Sequence, residues 1–136
     1  MHHLALTPNP YSVGAARRFV DECLDGAPRD VRDTVVLLAS ELVTNAVIHG
    51  GPHGPTATIV VGVEAAAEGV RVEVSDTGRG VPMVGDGSPD RRGGRGLVLV
   101  QALASRWGWD IADPGKSVWF EVDAPPDESG DAACSR

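Results

Sequence analysis

Residues 31–51 read VRDTVVLLASELVTNAVIHGG, a segment in which apolar residues recur at helical spacing. A helix is therefore predicted from Val31 to about His49, with Asp30 as its N-cap and the glycine pair after it as its stop. Glu41 and Asn45 lie one turn apart in this helix, so their side chains project side by side. A carboxylate and an amide aligned on an apolar helix are costly to bury without a partner or a task. Both residues are therefore candidate functional groups.

The rest of the chain predicts two further helices and two strand hairpins. Within Val70–Asp76 valines alternate with polar residues, which is typical of a strand with one dry and one wet face in an antiparallel or mixed sheet. This order predicts an α+β fold, a two-layer sandwich with helices on one face of a mixed, mostly antiparallel sheet. The predicted elements are the helices Ser12–Leu24, Val31–His49 and Leu97–Arg106 and the strands Thr56–Glu64, Val70–Asp76, Trp107–Ile111 and Ser117–Val122.

Length and charge limit the class of protein. The chain has 136 residues, which suits one domain, and a formal net charge of -7 at pH 7. Direct binding of nucleic acid is not expected, because neutralising phosphates requires a basic surface. No membrane partner is expected either, since no apolar run approaches the ~20 residues that span a bilayer. We expect a cytoplasmic domain over residues 1–123, followed by an acidic, disordered tail over residues 124–136.

Three glycine clusters suggest nucleotide binding, but two familiar motifs fail on context. Gly115-Lys116-Ser117 resembles the end of a P-loop, yet Asp110 stands where that motif needs its first glycine, and a strand follows instead of a helix. Gly94-Arg95-Gly96 opens a helix, but the third glycine of a dinucleotide-binding fingerprint would fall at Leu99.

The third cluster, Asp76-Thr77-Gly78-Arg79-Gly80, follows a predicted strand. A carboxylate at the end of a buried strand can accept a hydrogen bond from the amino group of adenine, whereas guanine would present a carbonyl oxygen there. Gly78 and Gly80 would let the backbone approach the base. The same cluster also admits a methyltransferase-like loop, and that alternative predicts a helix directly after Gly80.

The remaining polar candidates suit the triphosphate end of a nucleotide. Gly94 and Gly96, at a predicted helix start, offer free N–H groups to phosphates, and Arg95 between them could add positive charge. The amide oxygen of Asn45 is a hard ligand suited to Mg²⁺. Glu41 could orient or deprotonate a nucleophile that attacks the γ-phosphate.

Three segments occur in the order of the N box and the two glycine boxes of the GHKL ATP-binding superfamily and resemble those boxes. They are ELVTNAVIHG at residues 41–50, VSDTGRGVP at 74–82 and GGRGLVLVQALASRWG at 93–108. The resemblance covers about residues 12–123 and is strongest to anti-sigma-factor serine/threonine kinases and related small bacterial regulatory proteins. It implies a Bergerat-type sandwich that binds ATP and Mg²⁺ beneath a mobile lid at about residues 81–93.

The resemblance also implies a role for each matched residue. The implied roles are Glu41 as catalytic base, Asn45 as Mg²⁺ ligand, Asp76 as adenine partner, Gly78 and Gly80 beside the base, Gly94, Arg95, Gly96 and Leu97 at the nucleotide, and Ser117 as a hydroxyl near the adenine.

Two functional hypotheses follow. The first is a stand-alone kinase that phosphorylates an antagonist protein and sequesters a sigma factor, with a homodimer as one possible assembly. The alternative is an ATP-gated protein-binding module with little or no phosphotransfer. A phosphorelay histidine kinase is not expected, since no dimerisation helix with a phosphoacceptor histidine precedes the domain.

Overall fold

The computed structural model describes residues 1–49, 57–77, 94–112 and 115–125, which form five strands and three helices. In chain order the elements are β1 (His2–Leu6), α1 (Ser12–Cys23), α2 (Arg29–His49), β2 (Ile59–Ala66), β3 (Gly69–Asp76), α3 (Gly94–Leu103), β4 (Arg106–Ala112) and β5 (Gly115–Asp123). Among these residues, no helix is both long enough and apolar enough to span a membrane.

The strands form a single sheet in the order β1-β2-β3-β5-β4, and each neighbouring pair is antiparallel. β3 lies at the centre, where Val74 is opposite Val61 of β2 and Val118 of β5. The predicted α+β sandwich is confirmed, although all the pairings of the described strands are antiparallel and none is parallel.

One face of the sheet packs against the helices, and we call it the inner face. Side chains of a strand alternate between the two faces, and on β3 and β5 the valines at alternate positions and Phe120 are buried. Among the residues that the structure describes, Phe120 is the largest fully buried side chain, at 0% exposure. α2 covers this face with the broad apolar stripe that its sequence predicted, contributing the buried residues Val31, Val35, Leu38, Ala39, Leu42, Val43 and Ala46.

The outer face carries charged side chains instead. Arg71 of β3 and Glu121 of β5 lie directly opposite each other, and Arg71 Nη1 donates to Glu121 Oε2 at 3.1 Å. The Arg71 guanidinium also lies 4.3 Å from the ring centroid of Trp119. Hydrogen bonds from Arg106 and, secondarily, from Arg71 hold the pKa of the Glu121 carboxyl below its usual value. This outer pair is a useful reference for the polar groups on the inner face.

Strand β1 was not predicted from the sequence. Its residues, HHLAL, show no clear alternation, and it is a five-residue strand at the edge of the sheet. It forms because β2 supplies a partner, with Leu4 opposite Val61. A short edge strand depends on such pairing more than on local preference, so the segment alone does not reveal it.

Helix ends also differ from the prediction. Asp30 lies in the first turn of α2 and not at its N-cap, because the helix begins at Arg29. α3 begins at Gly94, earlier than the predicted Leu97, since glycine has a low helix propensity and hides the first turn in the sequence pattern. Arg106 belongs to β4 and pairs with Glu121, so α3 ends before it.

Candidate functional site

The acid–amide pair of α2 lies at the border of its buried face. Glu41 and Asn45 are both partly exposed, and each is followed by a buried residue, Leu42 and Ala46 respectively. Residues four apart lie on nearly the same side of a helix, so the carboxylate and the amide are neighbours, as predicted. α2 packs against β3, β5 and α3. The two polar groups therefore flank the layer between helices and sheet.

Asp76 is the last residue of β3. It alternates with Val72 and Val74 along the strand and therefore lies on the same inner face. Its side chain is only 6% exposed. The predicted carboxylate at the end of a buried strand is therefore present. A charged group in such a place requires a partner, because burying an isolated carboxylate is costly.

Lys116 supplies that partner, and the sequence reasoning did not assign it a role. It is the direct cross-strand neighbour of Asp76, and its Nζ donates to Asp76 Oδ1 at 3.1 Å. The Lys116 side chain is 11% exposed, which is far more buried than lysine usually is. The signal was present in the sequence: extending the alternation of Val118 and Phe120 back by one step places residue 116 on the same inner face.

Gly115 fixes how closely β5 approaches the end of β3. A Cβ atom at this position would overlap with the carbonyl oxygen of Asp76 and crowd the Cα of Thr77. Only glycine leaves room for this contact without a shift of the backbone. The glycine that looked like part of a P-loop thus begins β5 and brings Lys116 opposite Asp76.

Ser117 lies directly opposite Ser75 and alternates with Lys116, so its side chain belongs to the outer face with Trp119. The β5 side chain that meets Asp76 is therefore that of Lys116. The assignment of the Ser117 hydroxyl to the adenine stays a prediction.

Several predicted site residues fall at or beyond the limits of the described chain. Gly78, Gly80 and the lid at residues 81–93 lie outside the described residues, as does the helix that the methyltransferase-like alternative predicts after Gly80. Gly94, Arg95 and Gly96 form the first turn of α3, the helix start that the phosphate prediction requires. Leu97 is buried and belongs to the hydrophobic core.

The donor set of α2 suits a hard cation. Asn45 offers an amide oxygen, a hard oxygen ligand of the kind that Mg²⁺ prefers, and its side chain is partly exposed. Within the residues the structure describes, no group of three His, Cys, Asp or Glu side chains could hold a metal ion. Mg²⁺ commonly takes only one or two protein ligands and completes its shell with phosphates and water, so a single amide oxygen from Asn45 fits it.

Glu41 and Asn45 lie on α2 and Asp76 ends β3, a helix and a strand that pack against each other. The chain belongs to the histidine kinase-like ATPase domain family, whose profile matches residues 6–122. It is thus an ATP-binding domain, and the sequence resemblance to the GHKL superfamily is confirmed. No curated protein matches this sequence.

Solved structures share this fold at low sequence identity. The RsbU and RsbW domains of Rv1364c from Mycobacterium tuberculosis give a TM-score of 0.64 at 22% identity, over 93% of this chain and 34% of that one. The histidine kinase domain of the blue-light activated kinase EL346 from Erythrobacter litoralis gives 0.55 at 24% identity, over 82% of this chain and 59% of that one. The nucleotide-free catalytic domain of histidine kinase ThkA gives 0.53 at 16% identity, over 93% of this chain and 100% of that one.

These similarities show the common sandwich. This chain spans about a third of the Rv1364c chain and 59% of the EL346 chain, so the activities of those larger proteins are not transferred with the fold.

Proposed function

We propose that this protein is an Mg²⁺-dependent, ATP-binding serine/threonine kinase of the anti-sigma-factor type. It would act in the cytoplasm, transfer the γ-phosphate of ATP to an antagonist protein and bind a sigma factor. The observation that carries the proposal is the one-turn spacing of Glu41 and Asn45 on α2, the helix that packs on the strand ending in Asp76. The resemblance of the three sequence boxes to anti-sigma-factor kinases and the similarity to the structure that includes an RsbW domain support it.

Each residue contributes a distinct part of the chemistry. Asp76 accepts a hydrogen bond from the 6-amino group of adenine. Glu41 orients the acceptor hydroxyl and takes its proton as the oxygen attacks the γ-phosphorus, while the bond from that phosphorus to the β–γ bridging oxygen breaks and ADP leaves. Asn45 holds Mg²⁺, which when bound neutralises phosphate charge. The first turn of α3 donates backbone N–H groups to the phosphates.

The alternative is an ATP-gated module whose output is affinity for a partner protein. Residues 83–93, MVGDGSPDRRG, contain no strong signal for recognising a phosphate acceptor. This observation favours the gated module over the kinase. A kinase needs a base, whereas a gated module needs only nucleotide binding. The two functions therefore differ in whether phosphate transfer depends on Glu41.

Binding of ATP and GTP analogues, titrated with and without Mg²⁺, tests the shared premise. We expect Mg²⁺-dependent binding of the ATP analogue, and weaker binding of the GTP analogue by about tenfold or more, since a guanine carbonyl would face the Asp76 carboxylate. Equal, weak binding of both analogues would reject the assignment of Asp76 to the base.

The partner proposal has its own experiment. Cytosol of the native host, passed over the immobilised protein with and without ATP, should yield a sigma factor and a second protein, identified by mass spectrometry. Added radiolabelled ATP should then label a serine or threonine of the second protein. Capture of the same proteins without labelling would support the gated module. If neither protein is recovered, with or without ATP, both proposed functions are rejected.

Asn45→Ala should remove most of the effect of Mg²⁺ on ATP affinity. The alanine lacks the amide oxygen, and a lost metal ligand costs roughly ten- to a hundredfold in affinity, by analogy with changes around other metal sites. The measurement is the ratio of ATP dissociation constants with Mg²⁺ and with a chelator. Thr44→Ala is the matched control, because the Thr44 hydroxyl bonds the Ser40 carbonyl within the same helix. An unchanged ratio in Asn45→Ala would contradict the metal role.

A further inference from the structure

The buried ion pair between β3 and β5 has a role that the family assignment does not supply. Asp76 and Lys116 are direct cross-strand neighbours on the inner face of the sheet, at the end of β3, with side chains 6% and 11% exposed. Breaking a buried pair by removing one partner is strongly destabilising, whereas apolar replacement of both is often tolerated. A lysine placed here purely for stability would therefore be a costly choice.

We propose that Lys116 is a positioning residue for base recognition, and this inference rests on the proposed assignment of Asp76 to the adenine amino group. Nζ of Lys116 holds Oδ1 of Asp76 at 3.1 Å and so limits rotation of the carboxylate. A carboxylate offers about four acceptor positions on two oxygens, and Lys116 takes one of them. The purine amino group is then received by a carboxylate whose orientation is already set.

The backbone around the pair supports this role. Gly115 lets β5 start in close contact with the carbonyl of Asp76, which brings the two Cα atoms into register at the very end of β3. A hydrogen bond to an ionised acceptor is about twice as strong as a neutral one, provided the acceptor is correctly aimed. Lys116 thus acts through Asp76 and need not touch the nucleotide.

The opposite face of the same two strands provides a matched control. Arg71 and Glu121 are also direct cross-strand neighbours on β3 and β5, and their Nη1–Oε2 distance is the same 3.1 Å. They lie on the outer face, with side chains 30% and 28% exposed. Arg71→Met removes a cross-strand ion pair from the same ladder, together with the contact from Arg71 to Glu73, without touching the inner face.

The test compares ATP with purine riboside triphosphate, which lacks the 6-amino group. Wild-type protein should prefer ATP by about tenfold to a hundredfold, the range expected for one hydrogen bond to a charged group. In Lys116→Met the preference should fall to about threefold or less, mainly through weaker ATP binding, and Lys116→Arg should restore part of it. Arg71→Met should keep the wild-type preference even if its melting temperature falls.

The double variant Asp76→Asn/Lys116→Met guards against a folding defect, because it leaves no unpaired buried charge. Its preference for ATP should equal that of Asp76→Asn alone, since Lys116 is proposed to act only through Asp76. Additive losses would mean that Lys116 contacts the base itself and would overturn the positioning role.

Two further outcomes are decisive. An unchanged ATP preference in a folded Lys116→Met protein, or tighter ATP binding because the lysine had competed with the base, would overturn this inference alone. Failure of the wild-type protein to bind ATP at all would instead reject the proposed function.

Discussion

Changing Glu41 to glutamine should lower the rate of γ-phosphate transfer by roughly 10²–10⁴-fold, the usual contribution of a positioned general base. Glutamine keeps the size and the hydrogen-bonding reach of the side chain but cannot accept the proton of the attacking hydroxyl. ATP affinity should change by no more than about twofold, because the lost interaction is made only as the bond to phosphorus forms. Single-turnover transfer to the antagonist protein, measured with the ATP site saturated, gives the rate directly.

Glu22→Gln is the matched control, since Glu22 is an exposed helical glutamate on α1, outside the proposed site. It should transfer phosphate at the wild-type rate. If Glu41→Gln retains both transfer and partner control, the base assignment is wrong. If the wild-type protein transfers no phosphate yet releases or captures its partners with ATP, the protein is a gated binding module.

Replacing Asp76 by asparagine should weaken ATP binding by roughly ten- to a hundredfold, because the purine amino group loses a charged acceptor. The change also leaves the Lys116 ammonium buried opposite an amide, where its charge is no longer compensated. The free energy of unfolding should therefore fall as well. Calorimetric titration with ATP and urea denaturation without nucleotide measure the two effects separately.

Glu121→Gln on the outer face is a control that separates the loss of ATP affinity in Asp76→Asn from a general loss of stability. Glu121 pairs with Arg71 and Arg106 across β3, β5 and β4, so its replacement also breaks cross-strand ion pairs. It should lower stability slightly and leave ATP affinity unchanged, because exposed pairs contribute little. If Asp76→Asn keeps the wild-type affinity for ATP, the adenine binds elsewhere.

The elements that the sequence predicted well are those with strong local periodicity. The broad apolar stripe of α2 and the alternation of Val70, Val72 and Val74 each consist of side chains that are themselves buried, so the burial is visible in the local sequence. Glu41, Asn45 and Asp76 were predicted as site residues because polar groups in such apolar segments are exceptional. Their side-by-side placement and the burial of Asp76 follow from the same periodicities.

Local pattern failed where a partner distant in the chain supplies the stabilisation. β1 is a strand because β2 offers it hydrogen bonds. The boundary between α3 and β4 was misplaced for a similar reason, since the ladder with β5 draws Arg106 into the sheet.

Residue order by itself thus determined the two-layer sandwich, its family and the acid–amide pair, because helical and strand periods are written into successive residues. Alternation with Val118 and Phe120 already puts Lys116 on the inner face and Ser117 on the outer one, but only the tertiary structure decided that Lys116 lies opposite Asp76. That pairing depends on the register between β3 and β5, which is set by the close backbone approach at Gly115. This register joins two residues that are 40 positions apart in the chain.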